Sequence, residues 1–90
     1  MNKLEECRLR IDSIDTKIIE LFEERMAVVK GVIEYKIENN MQVLDSNREA
    51  TMLEKNLSKI QNEEFKKYYT DVLKGFLKAS KDMQNDILKK

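Results

Sequence analysis

One arginine stands where the sequence otherwise repeats an apolar residue. The same heptad position of a helix is filled by Leu4, Ile11, Ile18 and Val32, and Arg25 takes that position between them. An unpaired guanidinium is costly to bury, so Arg25 needs an anionic partner if its side chain is enclosed. An internal salt bridge, or a side chain that reaches water, would satisfy it equally well. Arg25 alone therefore does not define a binding site.

A second cation, Lys36, lies eleven residues after Arg25. On a continuous helix this spacing places it ~20° around the axis and ~16 Å further along. Val29 and Val32 lie between the two cations and form an apolar floor. Two cations above such a floor suit a small dianion. A solvated lysine near the end of a helix is the alternative for Lys36.

Arg8 lies on the flank of the same face, ~25 Å along the axis from Arg25. Within one chain that distance is too great for both residues to hold one small ligand. An antiparallel partner helix removes the difficulty. If a two-fold axis passes near residues 19–20, Arg8 of one chain lies between Arg25 and Lys36 of the other.

Two further polar groups follow later in the sequence. Ser80 and Gln84 are four residues apart on one helical face and can donate hydrogen bonds to a ligand, unless they form an ordinary polar edge. Asp45, Arg48 and Glu49 form a dense cluster, although Ser46-x-x-Glu49 is also a capping box that would explain Glu49 without a ligand.

The composition restricts the chemistry that these residues could perform. The chain has no histidine and one cysteine, Cys7, so a Ser/His/Asp or Cys/His nucleophile is excluded and a zinc site is not expected. Seventeen basic residues balance seventeen acidic ones, which argues against nucleic acid or an anionic membrane as the main partner. The single thiol suits a reducing cytosol, and no signal peptide is visible, so we expect a cytoplasmic protein.

The elements that must position these residues are helices. There is no proline, and no turn signal interrupts the apolar seam from Leu4 to about Asn39, a helix ~54 Å long. The seam consists of the heptad position already described and a second one, held by Cys7, Ile14, Leu21, Val28 and Tyr35. A compact domain of this size has a radius of gyration of only ~12 Å, so the helix must extend beyond it and pack against a second chain. We predict a loop over residues 38–42, a second helix from Asp45-Ser46, and a third helix, capped by Asn62, that ends near Leu88. Residues 1–90 form one domain, and Gly31 and Gly75 suggest close helix contacts or a nearby ligand.

The ordered set of motifs resembles the AroQ class of chorismate mutases, the all-helical type II family. In chain order the set is Arg8-x-x-Ile11, Asp15, Leu21-Phe22-x-x-Arg25, Tyr35-Lys36, Asp45-x-x-Arg48-Glu49 and Ser80-x-x-x-Gln84. The resemblance covers residues 4 to 88 and implies an all-α fold with three helices per chain, a very long first helix and an intertwined homodimer. It also implies conversion of chorismate to prephenate in phenylalanine and tyrosine biosynthesis.

The resemblance further implies a role for each matching residue. Arg8 from the partner subunit and Arg25 bind the two substrate carboxylates, assisted by Arg48 and Ser80, and Lys36 and Gln84 donate hydrogen bonds to the ether oxygen. Asp45 and Glu49 hold the ring hydroxyl, and the apolar wall contains Val29, Val32 and Leu77. Lys81 departs from the pattern, because an apolar residue is expected beside the pocket.

This reaction agrees with the composition. A [3,3] rearrangement of one substrate needs no nucleophile, metal, cofactor or proton transfer, so a protein without histidine can catalyse it by restricting the substrate and stabilising charge. Two alternatives remain: an isochorismate pyruvate lyase of the same fold, and a non-catalytic helical interaction module.

Overall fold

The computed structural model describes residues 1–43 and 46–89, and within them every regular element is helical. Three α-helices follow one another: α1 (Lys3–Glu38), α2 (Ser46–Leu57) and α3 (Lys66–Leu88). A short 3₁₀ helix, Glu63–Phe65, precedes α3. The all-α fold with three helices and a very long first helix is therefore confirmed.

Both ends of α1 follow from local chemistry. The side chain of Asn2 accepts a hydrogen bond from the backbone N–H of Glu5 at 2.8 Å, which satisfies one of the free donors at the start of the helix. At the other end, the backbone N–H of Asn39 donates to the carbonyl of Tyr35, and Asn40 adopts a left-handed conformation with φ of 52°. Asparagine tolerates that conformation better than most residues do, so it ends a helix well.

The start of α3 differs in detail from the sequence prediction. Asn62 acts as a cap, as expected, but its side chain accepts from the backbone N–H of Glu64 and caps the 3₁₀ helix. The α-helix itself begins at Lys66, which also forms an ion pair with Glu63 at 2.8 Å. The acidic residues Glu63 and Glu64 belong to the 3₁₀ helix just before α3, where their charges complement the positive end of the helix dipole.

A small apolar core lies between α1, α3 and the connection that leads to α2. Its buried apolar members are Ile33 of α1, Leu73 of α3 and Val43 of the connection between α1 and α2. The rings of Phe22 and Phe76 stack with their centroids 6.3 Å apart and join α1 to α3. α2 packs against α3 rather than against α1.

Much apolar surface remains outside this core. The radius of gyration is 16.6 Å, against ~12 Å for a compact chain of this length. The accessible surface is 7525 Å², about 2,000 Å² more than a compact folded chain of this mass exposes. The apolar seam of α1 accounts for part of the excess, because Leu4, Ile11, Ile18, Leu21 and Val28 are each about half exposed or more.

The two glycines do not mark close contacts among residues 1–43 and 46–89. A Cβ atom added at Gly31 or at Gly75 would meet no atom of that part of the chain within 4 Å. The expectation that these glycines permit tight helix packing is therefore wrong for contacts inside one chain.

Charge is spread along all three helices. Within residues 1–43 and 46–89, no helix combines the length and the apolar character needed to cross a membrane.

Candidate active site

A cavity of about 160 Å³ lies where the three helices meet. Its polar lining comes from Arg25, Lys36, Arg48, Glu49, Ser80 and Gln84, and its apolar lining from Val29, Val43, Met52 and Leu77. The structure thus brings together six of the eight residues that the sequence nominated as site residues. Of the other two, Arg8 lies elsewhere on α1 and Asp45 lies outside the described residues.

Helical spacing explains why these side chains meet. Arg25, Val29 and Lys36 are separated by four and seven residues and share one face of α1. Leu77, Ser80 and Gln84 are separated by three and four residues and share one face of α3. The first turns of α2 supply Arg48, Glu49 and Met52 as the third wall.

Arg25 is held firmly at the edge of the cavity. Its Nη1 donates a hydrogen bond to the Oγ of Ser80 at 3.0 Å, and Ser80 is only 8% exposed. Its guanidinium also lies 5.5 Å from the centre of the Phe76 ring, within the range of a cation–π interaction. The internal salt bridge considered for Arg25 is not found among residues 1–43 and 46–89. The contacts with the Ser80 hydroxyl and the Phe76 ring fix the position of Arg25 without neutralising its charge.

The charge of the described lining is positive. Arg25, Lys36 and Arg48 contribute three cations, and Glu49 contributes one carboxylate. Lys36 is half buried, which distinguishes it from a freely solvated lysine at a helix end. Arg25 is half buried as well, whereas Arg48 is exposed. Cations partly shielded from water attract an anion more strongly than exposed ones, so Arg25 and Lys36 favour a small anionic ligand.

Glu49 forms an ion pair with a residue of another helix. Its Oε2 lies 3.2 Å from the Nζ of Lys81 on α3, and Ser46 is the first residue of α2. The structure therefore gives the carboxylate a partner on another helix, which the capping-box interpretation did not require. This ion pair was not predicted, and nothing in the spacing of the two residues in sequence could have indicated it.

Gln84 carries an unsatisfied polar atom. Its Oε1 is buried and has no hydrogen-bond partner among residues 1–43 and 46–89. Such groups are rare in folded proteins, because leaving a buried polar atom unpaired costs about 1–3 kcal/mol. Because Oε1 is an acceptor, a ligand with a hydrogen-bond donor beside it would remove that cost, whereas an acceptor on the ligand could pair only with the Nε2 group.

Arg8 is exposed on the first third of α1 and does not line the cavity. Seventeen residues of helix separate it from Arg25, a distance of ~25 Å. Arg8 and Arg25 of one chain therefore cannot hold the same small ligand, as the sequence indicated. The cavity is also small and open beside the ~300–1,000 Å³ usual for ligand sites, so a further wall would complete it.

The side chains of the cavity are suited to binding and polarising a ligand rather than to nucleophilic attack on it. The chain has no histidine, and within the described ranges no group of three acidic or thiol side chains is placed to hold a metal. What the cavity offers is cations, hydrogen-bond donors and apolar walls on rigid helices. These groups can orient a compact anion and stabilise charge that develops on it.

The described residues thus form an all-helical fold with one cavity whose charged lining residues are three cations and one carboxylate. The chain matches the family "Chorismate mutase type II" over residues 7–85 and belongs to that family. It is also similar to a bifunctional chorismate mutase/prephenate dehydratase of Buchnera aphidicola subsp. Acyrthosiphon pisum (strain APS), with 34% identity over 84 residues. That match covers 92% of this chain and 22% of the relative, so the chain spans about a fifth of its length.

Proposed function

We propose that this chain is a chorismate mutase that converts chorismate to prephenate as an intertwined homodimer. The observation that carries the proposal is the single cavity in which Arg25, Lys36, Arg48, Glu49, Ser80 and Gln84 meet. These are residues at which the sequence resembles the family, and they come from three different helices. Membership of the type II family supports the same conclusion.

The rearrangement makes two demands, and the cavity can meet both. Chorismate must fold its enolpyruvyl arm over the ring, and the ether oxygen gains negative charge as its bond to the ring breaks. Arg25, fixed by Ser80 and Phe76, binds one carboxylate in a defined position and so restricts the arm. Lys36 and Gln84 donate hydrogen bonds to the ether oxygen and stabilise its developing charge.

The remaining cavity residues bind the ring and its substituents. Glu49 accepts a hydrogen bond from the ring hydroxyl, and Arg48 and Ser80 assist with the carboxylates. Val29 and Leu77 supply the apolar walls that exclude water from the reacting bonds. Asp45 belongs to the proposed site by resemblance, and it lies outside the described residues.

The dimer completes each site with Arg8 of the partner subunit. Two observations support it: the half-exposed apolar seam of α1, and the surface excess of about 2,000 Å² in each chain. Burying such an area twice gives an interface of the size found in obligate dimers. An antiparallel arrangement about residues 19–20 would bring Arg8 between Arg25 and Lys36 of the other chain.

We assign the reaction to the cytoplasmic synthesis of phenylalanine and tyrosine. The unpaired Cys7 supports the cytoplasm, since a reducing compartment keeps such a thiol free. Chorismate mutases supply prephenate to that pathway. The chain's likeness to one domain of a bifunctional mutase/dehydratase is consistent with it.

Incubation of the purified protein with chorismate tests the proposal. We expect the loss of chorismate to match the appearance of prephenate, without added metal or cofactor. Release of pyruvate from isochorismate at a higher kcat/KM would instead identify an isochorismate pyruvate lyase. Stability of both compounds in the presence of folded dimer would favour a non-catalytic helical module.

A further inference from the structure

One ion pair joins α2 to α3 beside the cavity. The Nζ of Lys81 lies 3.2 Å from the Oε2 of Glu49. The Glu49 side chain is 24% exposed and that of Lys81 is 50% exposed, so both members of the pair are partly exposed to water. Glu49 lines the cavity, and Lys81 follows Ser80, which also lines it.

A carboxylate in an anion site needs such a partner. Glu49 contributes negative charge to a cavity whose other charged lining residues are cations, and it would repel a dianion if its charge were unbalanced. Lys81 offsets that charge from outside the lining. The contact uses Oε2, which leaves Oε1 able to accept a hydrogen bond from a ligand hydroxyl.

The pair also restricts where Glu49 can lie. A glutamate side chain has three rotatable bonds and loses considerable freedom when it is held in one conformation. A fixed partner on a neighbouring helix removes part of that freedom before the ligand arrives. The Glu49 side chain then loses conformational entropy when the protein folds, and so it loses less when the ligand binds.

We propose that Lys81 is a positioning residue that orients Glu49 and balances its charge for substrate binding. The inference rests on the proposed function, because Glu49 is taken there to hold the ring hydroxyl. Lys81 touches Glu49 and acts through it. The residue that departs from the family pattern therefore contributes to the site.

A double-mutant cycle with steady-state kinetics tests this role in the intact dimer. We expect Lys81→Met to raise KM for chorismate about three- to tenfold while kcat changes less than about twofold, since a partly exposed pair has a modest effect. Lys81→Gln should behave similarly, and it serves as a second variant should the methionine disturb folding. Lys81→Arg should stay within about twofold of wild type, because it keeps the charge and can reach the carboxylate.

The Glu49→Gln background provides the decisive comparison. If Lys81 acts through Glu49, adding Lys81→Met to Glu49→Gln should raise KM no further. An equal rise in both backgrounds would show that Lys81 attracts the dianion directly, and it would overturn the proposal. So would a KM for Lys81→Met equal to that of wild type.

Lys78 on the same helix offers a matched control. It forms an ion pair with Asp82 at 2.8 Å, and both side chains are largely exposed away from the cavity. The hydrogen bond and the charge of Asp82 raise the pKa of Lys78, so this lysine is fully charged at neutral pH. Lys78→Met removes the same charge from α3 and should leave KM unchanged. An equal rise in KM would show that the general charge of α3 matters rather than the pair with Glu49.

The wild-type assay separates this inference from the proposed function. If wild-type protein fails to convert chorismate, the proposed function fails at that step and the role of Lys81 fails with it. If wild type is active and the cycle shows no coupling between positions 81 and 49, only the inference fails. Circular dichroism and sedimentation of each variant confirm that kinetics are compared among folded dimers.

Discussion

The two halves of α1 have the same kind of sequence and different surroundings. Between residues 3 and 21, every side chain except Cys7 is exposed, including the apolar seam. Between residues 22 and 38, Phe22, Met26, Val29 and Ile33 are half buried or buried beside the rest of the chain. The heptad spacing continues through both halves, so the difference lies in what the chain folds against them.

The packed half, residues 22–38, carries site residues that a single chain can position, whereas the bare half, residues 3–21, carries one that needs a partner subunit. In the packed half, Arg25 and Lys36 line the cavity, and Arg25 is held by contacts with α3. In the bare half, Arg8 stands on an exposed helix. Under the proposed function, dimer formation covers the bare half, residues 3–21, and the same dimer contacts bring Arg8 into the site of the partner subunit. Stability and activity should then depend on concentration together.

A charge on the bare seam should have the largest effect. Leu21 is 64% exposed within the chain and lies next to the proposed two-fold axis, so Leu21→Glu would place two carboxylates close together in the dimer. The lost burial alone should weaken the dimer by at least about 4 kcal/mol, or ~1,000-fold in Kd. We expect sedimentation at micromolar concentration to show dissociation, with loss of mutase activity.

Ser13→Glu is the matched control for that experiment. Ser13 is exposed on α1 and lies off the apolar seam, and a glutamate there precedes Lys17 by one helical turn, a favourable spacing. The variant should remain an active dimer. If Leu21→Glu also remains one, the bare half does not form the interface.

Mixing two inactive variants should test whether the halves of two chains share a site. Arg8→Ala and Lys36→Ala homodimers should each lose about 10²–10³-fold in kcat/KM, as expected for a group that binds or polarises the reacting substrate. After denaturation and refolding together, half of the dimers should be mixed. Each mixed dimer has one site with both wild-type residues, so about a quarter of wild-type activity should return.

Recovery or loss of activity in the mixture shows whether Arg8 acts in the site of the partner subunit or in that of its own chain. Recovery requires Arg8 and Lys36 of one site to come from different chains. If mixed dimers form and activity does not return, then Arg8 acts within its own chain or has no part in the reaction. Native mass spectrometry of the mixture measures the fraction of mixed dimers, so the two results cannot be confused.

The packed half was largely predictable from the sequence. The apolar seam predicted α1 from Leu4 to about Asn39, and the helix extends from Lys3 to Glu38. Local signals suffice here, because heptad spacing and capping asparagines act within a few residues of each other. The same spacing predicted which side chains of α1 share a face with Arg25.

Contacts between helices were less predictable. The ion pair of Glu49 with Lys81 joins residues 32 positions apart, and no periodic pattern links them. The capping motif even suggested a local role for Glu49. The contact of Arg25 with the Phe76 ring likewise joins residues of two different helices. Such contacts depend on how α2 and α3 pack, which the periodicity of each helix alone does not determine.

Gln84 of α3 lines the same cavity as the packed half of α1, and its substitution tests the proposed contact with the reacting bond. Its amide can donate a hydrogen bond at any ordinary pH, whereas Gln84→Glu can donate only while its carboxyl is protonated. Above the carboxyl pKa, a carboxylate would repel the charge that develops on the ether oxygen. Burial raises that pKa and the nearby Lys36 lowers it, so the direction of the pH effect is fixed although the midpoint is not.

We therefore expect the kcat/KM of Gln84→Glu to fall as pH rises, by about 10–100-fold across the titration. The wild-type profile over the same range should be comparatively flat. Parallel profiles for the two proteins would mean that Gln84 does not contact the breaking bond. α3 would then support the cavity without taking part in catalysis.

The smallest expected effect concerns how firmly the packed half holds Arg25. Ser80 accepts a hydrogen bond from Arg25 at 3.0 Å, and Ser80→Ala would remove that contact while leaving the Phe76 ring in place. A hydrogen bond of this kind contributes about 0.5–1.5 kcal/mol, so KM should rise about two- to tenfold if Arg25 must be fixed before chorismate binds. Ser58→Ala is the control, since its hydroxyl donates to the carbonyl of Lys55 at the end of α2, outside the cavity lining. An unchanged KM for Ser80→Ala would show that Arg25 is positioned well enough by its aromatic contact.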